Sequence, residues 1–483
     1  MTKPTIGDLT VKFGTSGLRG LVKDLEGHAS ALYATAFARH LLSTGMAVAG
    51  SRIYVGADYR PSSPDIAATC IGALQRAGFD PVDCGALPTP ALALYAMKNG
   101  AACLMVTGSH IPADRNGIKF YRPDGEIDKT DEAAITRLAA ELKGDIVDLT
   151  PASAPNEGEA AQALFLQRYR GLIGTTSLAG LRIGVYQHSS VAREGLIALL
   201  GESGAEVVPL GFSQSFIPVD TEAVSEETVA LLKGWAGEHG LDAIVSTDGD
   251  GDRPLVADET GLPLRGDLLG LLVARFLAAR VVVTPVTSNS GLEAAGTYHV
   301  VRTRVGSPFV VAEMNAALQA GDTAVMGFEA NGGVLTASDF TVGETRLAAL
   351  PTRDSFLPIL ASLCQAAAAA KPLSALAAEI RLPVADADRL ENMPVETSQA
   401  LMRHLRASSA NLADFLAPIG TVASVSDIDG LRVVLADRRI IHLRPSGNAP
   451  EMRCYVEAET EADARALLGE GLALVRRFAG ASQ

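Results

Sequence analysis

The sequence predicts an α/β fold in which three related domains face one shared cleft. The chain has 483 residues, a length that suits about three to four domains. Short apolar runs alternate with helical segments along most of the chain, as in sheets that are covered by helices on both faces. Three of these runs end in polar, glycine-containing loops, and ligands of parallel sheets bind at the carboxyl ends of the strands.

The predicted elements form units that are separated by turn-rich segments. A linker is predicted at 148–159 from its proline, serine and glycine content, and an alanine run that ends at Lys371-Pro372 indicates a later boundary. Strands are predicted at 52–56, 79–84, 101–106, 181–186, 206–210, 281–283, 431–435, 440–443 and 452–457, and helices at 63–77, 192–201 and 267–279. No clear sequence repeat accompanies this order, so the kinship of the domains is inferred from their loops alone.

Composition argues against several classes of function. A net charge of −14 argues against broad nucleic-acid binding, and it means that a phosphorylated substrate must be met by local clusters of arginine and lysine. Five scattered cysteines without a Cys-x-x-Cys pair predict reduced thiols in a cytoplasmic protein. The N-terminus lacks a signal-peptide pattern, and the most apolar stretch, 268–283, is interrupted by Arg275 and Arg280, so we expect no membrane span.

The segment 246–254, Ser-Thr-Asp-Gly-Asp-Gly-Asp-Arg-Pro, is the strongest indication of chemistry. Its glycines allow a tight turn in which Asp248, Asp250 and Asp252 converge, and such oxygen-only ligands suit Mg²⁺. A solvated acidic turn is one alternative. The three aspartates and Glu259 also match an EF-hand spacing, but Arg253 stands where a Ca²⁺ loop needs glycine.

A second polar loop follows the strand at 101–106. Ser109 in Thr-Gly-Ser-His-Ile-Pro could be a nucleophile or a phosphoryl carrier, with a structural turn as the alternative. His110 is not evidence of a catalytic triad, because the chain has no nucleophile elbow here. Lys119 could meet a phosphate or move a proton, and a surface lysine is the alternative.

Three further loops favour anion or sugar binding. Residues 13–20 combine three glycines with Arg19 and could approach an anion, although an N-terminal hairpin turn would look similar. Near the C-terminus a strand leads into a turn rich in phosphate donors, namely Arg444, Ser446, the Gly447 amide and Asn448. Glu329 and Asn331 lie in a loop without basic residues, which suits sugar hydroxyls better than phosphate; a solvated acid and a helix N-cap are their alternatives.

Taken in order, the segments 13–20, 107–112, 116–120, 248–253 and 444–453 resemble the α-D-phosphohexomutase family, which includes phosphomannomutase/phosphoglucomutase and phosphoglucosamine mutase. The resemblance covers essentially the whole chain. It implies three similar α/β mixed-sheet domains and a smaller α+β C-terminal domain around a central cleft. The implied domains are 1–152 with the phosphoserine, 153–257 with the metal, 258–371 with the sugar site and 372–483 with a phosphate site.

The resemblance also implies an activity and a set of roles. The family interconverts hexose 1-phosphate and hexose 6-phosphate through an enzyme phosphoserine and a hexose 1,6-bisphosphate, which also serves as activator. The expected partners are sugar phosphates alone, without nucleic acid or membrane, for a monomer or homodimer. The implied sites are Ser109, Lys119, Arg19 and His110 for catalysis, Asp248, Asp250, Asp252 and Ser109 for Mg²⁺, and Arg253, Glu329, Asn331, Arg444, Ser446, Gly447, Asn448 and Arg453 for substrate.

Four departures from the family pattern bear on the substrate. Asn331 replaces the usual serine, and Ser307 stands where many phosphomannomutases place histidine. Residues 285–293 lack a lysine, and residues 186–190 lack the common Asp-x-x-x-Gly element. We expect these departures to lie in the part of the cleft that discriminates between sugars. They indicate a divergent phosphomannomutase-like enzyme, with phosphoglucosamine mutase or phosphoglucomutase, a metal-dependent phosphatase and a Ca²⁺-stabilised binding protein as alternatives.

Overall fold

The computed structural model describes residues 11–14, 17–145, 148–446 and 450–481. Four sheets, each with its own helices, follow one another along this part of the chain, and a two-stranded hairpin accompanies the third. The first three sheets mix parallel and antiparallel strands, whereas the fourth is antiparallel throughout. The predicted α/β class and the smaller last unit are confirmed.

The first unit has seven strands in the order β1-β2-β6-β5-β3-β4, with β7 paired to β6. The strands are β1 (Lys12–Phe13), β2 (Leu18–Leu21), β3 (Arg52–Ala57), β4 (Asp80–Ala86), β5 (Ala102–Val106), β6 (Arg115–Arg122) and β7 (Gly125–Glu126), and the helices are α1 (Val22–Leu25), α2 (His28–Ser43), α3 (Ser63–Arg76), α4 (Thr89–Lys98) and α5 (Lys129–Leu142). Every residue of β5 is buried, which explains why its sequence is a continuous apolar run.

The second unit follows α6 (Gly158–Arg170), which packs on α4 of the first. Its four strands have the order β11-β10-β8-β9. The elements are β8 (Arg182–His188), α7 (Arg193–Glu202), β9 (Glu206–Phe212), α8 (Glu226–His239), β10 (Ala243–Thr247) and β11 (Pro254–Ala257). The pair β10–β11 is an antiparallel hairpin, and the turn that joins it carries the three aspartates.

The third unit has five strands in the order β13-β12-β14-β15-β18, beside the hairpin β16–β17. Its elements are α9 (Gly266–Phe276), β12 (Val281–Pro285), α10 (Leu292–Ala295), β13 (His299–Thr303), α11 (Ser307–Gln319), β14 (Val325–Phe328), β15 (Val334–Thr336), β16 (Phe340–Val342), β17 (Thr345–Leu347), β18 (Leu350–Asp354) and α12 (Phe356–Ala369). The loop between β14 and β15 contains Glu329 and Asn331.

The fourth unit has five strands in the order β19-β23-β22-β21-β20. Its elements are α13 (Leu373–Glu379), β19 (Val384–Leu390), α14 (Val395–Ala407), α15 (Ser409–Leu416), β20 (Val422–Ser426), β21 (Leu431–Leu435), β22 (Ile440–Pro445), β23 (Met452–Ala458) and α16 (Glu461–Ala481). One hydrophobic core runs through the first three units, joining Tyr54, Phe165 and Phe356, and also includes Leu373 and Leu376 of α13. The sheet of the fourth unit has a core of its own.

The segment predicted as a linker differs from the expectation of a loose connection. The Asp83 amide donates to the Pro155 carbonyl at 2.9 Å, and the Glu157 amide donates to the Asp83 carbonyl at 2.8 Å. The segment therefore extends along β4, and α6 begins at Gly158, inside the predicted linker. No single helix among the described ranges has the length and apolarity to cross a membrane; α12 and α13 pass such a test only as a pair bent by 92°.

Candidate active site

Ser109 lies directly after β5, where the loop of the first unit contacts the aspartate turn of the second. Its side chain is buried, and Oγ donates to Oδ2 of Asp248 at 2.5 Å. The residue has φ +54°, a left-handed conformation that costs a side-chain-bearing residue about 1–3 kcal/mol. Two of the three loops predicted to share a cleft thus meet at this serine.

Arg60, which the sequence analysis did not identify, holds the Ser109 loop in place. Its guanidinium donates to the Ser109 carbonyl at 2.9 Å and to the carbonyls of Ile111, Pro112 and Arg115 at 2.5, 2.8 and 3.0 Å. Asp58 pairs with Arg60 at 3.2 Å, so the buried charge is compensated. These bonds fix the backbone that carries the serine.

The aspartate turn places Asp248, Asp250 and Asp252 in a buried cluster, with one oxygen from each within 4.8 Å of the others. Gly251 has φ +72°, which permits the tight turn. The turn joins two strands rather than two helices, and the Glu259 carboxylate accepts from the Ser374 amide at 3.2 Å instead of facing the cluster. Both features exclude the EF-hand alternative.

The donor set of the cluster fits a hard divalent cation. Asp250 Oδ1 and Asp252 Oδ1 are buried without a hydrogen-bond partner, while their Oδ2 atoms are engaged. Burial, followed by the charges of Asp250 and Asp252, raises the pKa of Asp248 well above its usual range. A cation among these oxygens would relieve both the unpaired acceptors and the repulsion. Their burial disfavours the solvated acidic turn.

Lys119 on β6 lies inside this cluster rather than on the surface. Its Nζ donates to Asp250 Oδ2 at 2.6 Å and to Asp252 Oδ2 at 2.5 Å. Thr89 Oγ1 also donates to Asp250 Oδ2, at 2.6 Å. Burial opposes ionisation of Asp252, but Arg353 and Lys119 outweigh it, so the pKa of Asp252 lies well below its usual range. The first unit therefore supplies a cation and a hydroxyl to the acids of the second.

Arg19 and Arg253 border the serine. Arg19 donates to the Gly108 carbonyl at 2.7 Å, and burial followed by the charge of Arg253 lowers the pKa of Arg19 to about 10. Arg253 donates to His110 Nδ1 at 2.9 Å. Residues 15 and 16 of the predicted glycine loop lie outside the described residues. Two guanidinium groups next to a buried hydroxyl form a site suited to an anion.

His110 is a neutral imidazole in this arrangement. Because a guanidinium can only donate, Nδ1 of His110 must accept from Arg253. Burial, followed by the charge of Arg253, lowers the pKa of His110 to about 3. The single hydroxyl hydrogen of Ser109 goes to Asp248, so the 3.2 Å contact between Oγ and Nδ1 is not a serine–histidine proton transfer pair. The geometry agrees with the absence of a triad signature.

Glu329 joins the same cluster through Arg353, a second residue that the sequence analysis did not identify. Arg353 donates to Glu329 Oε2 at 3.0 Å and, through Nε and a terminal nitrogen, to Asp252 Oδ2 at 3.0 and 2.8 Å. Asn331 Oδ1 accepts from the Gly333 amide at 3.0 Å, so this oxygen shapes its own loop. The sugar-binding role of Asn331 stays a prediction.

A second basic group lies on the fourth unit. Arg444 and Arg453 are cross-strand partners at the end of β22 and the start of β23. Arg444 pairs with Asp429 at 3.0 Å, and Arg453 pairs with Glu451 at 2.9 Å. The Ser446 amide donates to the Glu451 carbonyl at 3.0 Å. The predicted phosphate donors Gly447 and Asn448 lie outside the described residues.

Ser307, one of the departures from the family pattern, contacts Glu126 of the first unit, and its place in the sugar-discriminating part of the cleft stays a prediction. It is fully buried, and its Oγ donates to Glu126 Oε2 at 2.6 Å, while Thr352 Oγ1 donates to the other oxygen of Glu126 at 2.9 Å. His188 belongs to the segment 186–190, which lacks the common Asp-x-x-x-Gly element. Its Nε2 lies 2.9 Å from the carbonyl of Thr247, the residue before the aspartate turn. The Ser307 hydroxyl and His188 Nε2 are thus engaged in contacts between elements.

Models of four domains of one family match the chain in order. The phosphoglucomutase/phosphomannomutase alpha/beta/alpha domains I, II and III match residues 10–144, 167–261 and 265–382, and the C-terminal domain matches residues 379–472. A phosphomannomutase of Sinorhizobium fredii is 57% identical over 468 residues, which cover 96% of this chain and 98% of the relative. A phosphomannomutase of Salmonella muenchen is 42% identical, with 96% and 95% covered.

More distant matches repeat this pattern. A phosphoglucosamine mutase of Dinoroseobacter shibae is 29% identical, with 96% of this chain and 98% of the relative covered. The solved structure of a phosphoglucomutase/phosphomannomutase family protein from Burkholderia thailandensis matches with a TM-score of 0.74 at 22% identity, covering 96% of this chain and 97% of that chain. At this identity the structural match bears on the fold alone.

Proposed function

The chain belongs to the phosphoglucomutase/phosphomannomutase family, and from this premise we propose that it is a phosphohexomutase that interconverts mannose 1-phosphate and mannose 6-phosphate. The choice of mannose is supported by the similarity to the two phosphomannomutases. The observation that carries the proposed chemistry is the 2.5 Å contact between Ser109 Oγ and Asp248 Oδ2 inside a buried acidic cluster. This contact supports a phosphoryl-carrying role for Ser109 next to a candidate cation site.

In the first half-reaction, a phosphoryl group carried by Ser109 passes to O6 of mannose 1-phosphate. The P–Oγ bond breaks, the P–O6 bond forms, and the hydroxyl proton of the sugar is returned to Oγ. The resulting hexose 1,6-bisphosphate then reorients in the cleft, so that its other phosphate faces Ser109. In the second half-reaction the P–O1 bond breaks and the P–Oγ bond forms again, while the serine proton passes to O1. No phosphate is released, so the reaction is an isomerisation.

We assign the roles in this reaction to residues according to their positions around Ser109. Asp248, Asp250, Asp252 and an oxygen on Ser109 would hold Mg²⁺, which when bound supplies charge neutralisation to the transferring phosphoryl group. Lys119, which contacts Asp250, and Arg19, which contacts the Gly108 carbonyl, would lie next to this group. Arg253 and its partner His110 border the serine. Phosphoryl transfer depends mainly on such positioning and charge stabilisation.

Sugar and distal phosphate are assigned to the third and fourth units. Arg353 donates to Oε2 of Glu329, so the other carboxylate oxygen accepts hydrogen bonds from sugar hydroxyls. Asn331 of the same loop is assigned to the sugar as well. Arg444, Ser446, Gly447, Asn448 and Arg453 grip the phosphate that is not reacting. This grip must accept either phosphate in turn, which suits arginines and backbone amides better than a tailored pocket.

The proposal extends to conditions in the cell. Hexose 1,6-bisphosphate is expected to activate the enzyme, because it can phosphorylate Ser109 again after an intermediate has escaped. The five cysteines are free thiols, which supports a reducing compartment such as the cytoplasm. We retain a monomer or homodimer as the expected assembly, without nucleic-acid or membrane partners.

The experiment is Ser109→Ala, assayed with mannose 1-phosphate, glucose 1-phosphate and glucosamine 1-phosphate in the presence of Mg²⁺ and the corresponding bisphosphate. We expect turnover to fall to background while the fold persists, with the exposed Ser43→Ala as matched control. Full turnover in Ser109→Ala would refute the phosphoserine mechanism. Stoichiometric release of inorganic phosphate by the wild-type enzyme would favour the metal-dependent phosphatase, and preference for glucosamine or glucose phosphate would change the substrate assignment.

A further inference from the structure

Arg353 is a buried cation that contacts both the acidic cluster and the sugar loop. Only 2% of the residue is exposed. Its Nε and one terminal nitrogen donate to Asp252 Oδ2 at 3.0 and 2.8 Å, and its other terminal nitrogen donates to Glu329 Oε2 at 3.0 Å. The planar guanidinium can bind two carboxylates at once in a fixed orientation, which a lysine ammonium cannot reproduce.

The surrounding elements hold this side chain in place. Arg353 lies on β18, and the next turn attaches to the aspartate turn because Ser355 Oγ donates to the Gly251 carbonyl at 2.7 Å. On the other side, a Cβ built on Gly333 would lie 2.7 Å from Cδ of Arg353. The absence of a side chain at Gly333 therefore allows the arginine stem to pack against the sugar loop.

Because Arg353 bridges Asp252 and Glu329, one oxygen of each carboxylate is fixed and the other remains to bind a ligand. Asp252 Oδ2 is held by Arg353 and Lys119. Its Oδ1 is buried without a hydrogen-bond partner, and Arg253 Nε lies 3.9 Å away. Glu329 Oε2 is held in the same way. A side chain that orients a ligand carboxylate without touching the cation changes metal affinity when it is altered.

We propose that Arg353 is a positioning residue that couples the sugar-binding loop to the cation site through its simultaneous contacts with Glu329 and Asp252. The inference rests on the proposed function for the identity of the ligands. It assigns a role to a residue of the third unit that touches neither the reacting phosphoryl group nor the cation. Engagement of Glu329 by a sugar hydroxyl then changes how firmly Asp252 is oriented.

The first test is Mn²⁺ binding to the purified enzyme without substrate, followed by electron paramagnetic resonance. Arg353→Lys keeps the positive charge but cannot bridge both acids, so we expect the Mn²⁺ dissociation constant to rise about tenfold. The matched control is Arg302→Lys, since Arg302 bridges Glu293 and backbone carbonyls of the third unit away from the cluster. The control should lower the melting temperature without changing Mn²⁺ binding.

The second test is a double-mutant cycle with Glu329→Gln. Glu329→Gln should weaken Mn²⁺ binding in the wild-type background and have no further effect in the Arg353→Lys background, because the coupling runs through the guanidinium. If Glu329→Gln weakens Mn²⁺ binding equally in both backgrounds, the charge of Glu329 acts on the cation site directly through space, and the proposal is overturned. An unchanged Mn²⁺ dissociation constant in folded Arg353→Lys would overturn it as well.

Two features keep the outcome decisive. Should Arg353→Lys fail to fold, Arg353→Gln takes its place in the cycle. Unchanged Mn²⁺ binding in folded Glu329→Gln would by itself show that the sugar loop has no influence on the cation site. Mn²⁺ binding needs no turnover. A wild-type enzyme without hexose phosphate mutase activity would therefore refute the proposed function, while the cycle would still accept or reject the role of Arg353.

Discussion

At position 109 the backbone adopts a left-handed conformation that glycine would adopt more easily, yet the residue is serine. The adjacent Gly108 cannot carry a side chain, because a Cβ there would lie 2.6 Å from Cζ of Arg60. The hydrogen bonds from Arg60 to the loop carbonyls offset the strain at Ser109. A buried serine with a strained backbone, held by a guanidinium through its own carbonyl, is a feature of function rather than of folding.

Lys119 provides a prediction in which activity and cation affinity change in opposite directions. Lys119→Met removes the ammonium group that lies between Asp250 and Asp252, so the repulsion between the carboxylates of the metal-free cluster grows. A divalent metal ion should therefore bind more tightly. Loss of one preorganised donor should lower kcat about a hundredfold to a thousandfold. Mg²⁺-induced shifts in melting temperature and steady-state kinetics measure both effects.

The matched control is Lys98→Met, at an exposed position at the end of α4. It should leave kcat and the Mg²⁺ response unchanged. Weaker Mg²⁺ binding in Lys119→Met would contradict the view that the lysine competes with the cation for the same carboxylates.

His442 makes the stability of the fourth unit depend on pH. Burial, with a further contribution from the charge of Arg432, lowers the pKa of His442 from 6.5 to about 4. Between these values the unfolded chain binds the proton and the folded chain does not, so stability is complete above about pH 6.5 and falls as the pH drops towards 4. At pH 4.5 the loss should be about 2–3 kcal/mol.

His442→Gln retains a donor for the Asp429 carbonyl but removes the titration. The free energy of opening of β22, measured by hydrogen exchange at pH 7 and pH 4.5, should therefore fall less in the variant than in the wild type, by about 2–3 kcal/mol. The same pH-dependent loss in both proteins would show that His442 is not the group responsible.

The residues of the site differ in how far the sequence reveals them. The alternation of aspartates with glycines predicts a cation site from the residues themselves. The role of Ser109 follows from the family resemblance, because its Gly-Ser turn alone would also fit a structural role. The sequence does not identify Arg60, which follows β3, or Arg353, which lies on β18, because each is a single arginine whose partners come from distant segments. Only the tertiary arrangement distinguishes them from surface arginines.

At the scale of elements, the predictable parts are those whose burial is uniform. The strands β3, β5 and β12 are predicted as apolar runs because nearly every residue in them is buried. The strands β15, β16 and β17, of three residues each, were not predicted, since their pairing is decided by neighbouring chain rather than by a local pattern. The same holds for the linker, whose contacts with β4 involve its backbone.

The start of α9 packs against the sugar loop, which gives a prediction at this scale. A Cβ on Gly266 would lie 2.2 Å from the Ala330 carbonyl oxygen and 2.3 Å from the Gly332 nitrogen. Gly266→Ala must therefore displace the loop that carries Glu329, and kcat/KM for mannose 1-phosphate should fall about a hundredfold. Steady-state kinetics at saturating Mg²⁺ measures the effect.

Gly234→Ala is the control, because a Cβ at this position of α8 meets nothing within 4 Å. It should stabilise the helix by about 0.5–1 kcal/mol and leave kinetics unchanged. A wild-type kcat/KM in Gly266→Ala would mean that the loop tolerates the displacement, and that its position does not control the reaction.

At the scale of the whole molecule, the site exists only because separate units meet. The first supplies Ser109 and Lys119, the second the aspartate turn, and the third Glu329 with Arg353. A chain with a net charge of −14 thereby concentrates cations around one buried point, where an anionic substrate can be bound. The shared core of the first three units gives this arrangement a common frame.

The central claim is that Ser109 carries the phosphoryl group that moves between enzyme and sugar. It is tested most directly by labelling Ser109 with radioactive phosphate, mixing the enzyme with unlabelled mannose 1-phosphate and Mg²⁺, and following the label by rapid quench. We predict that the label leaves Ser109 at least as fast as steady-state turnover and enters the hexose bisphosphate and monophosphate pools. Label that stays on the protein during turnover, or that appears only as inorganic phosphate, would contradict the account.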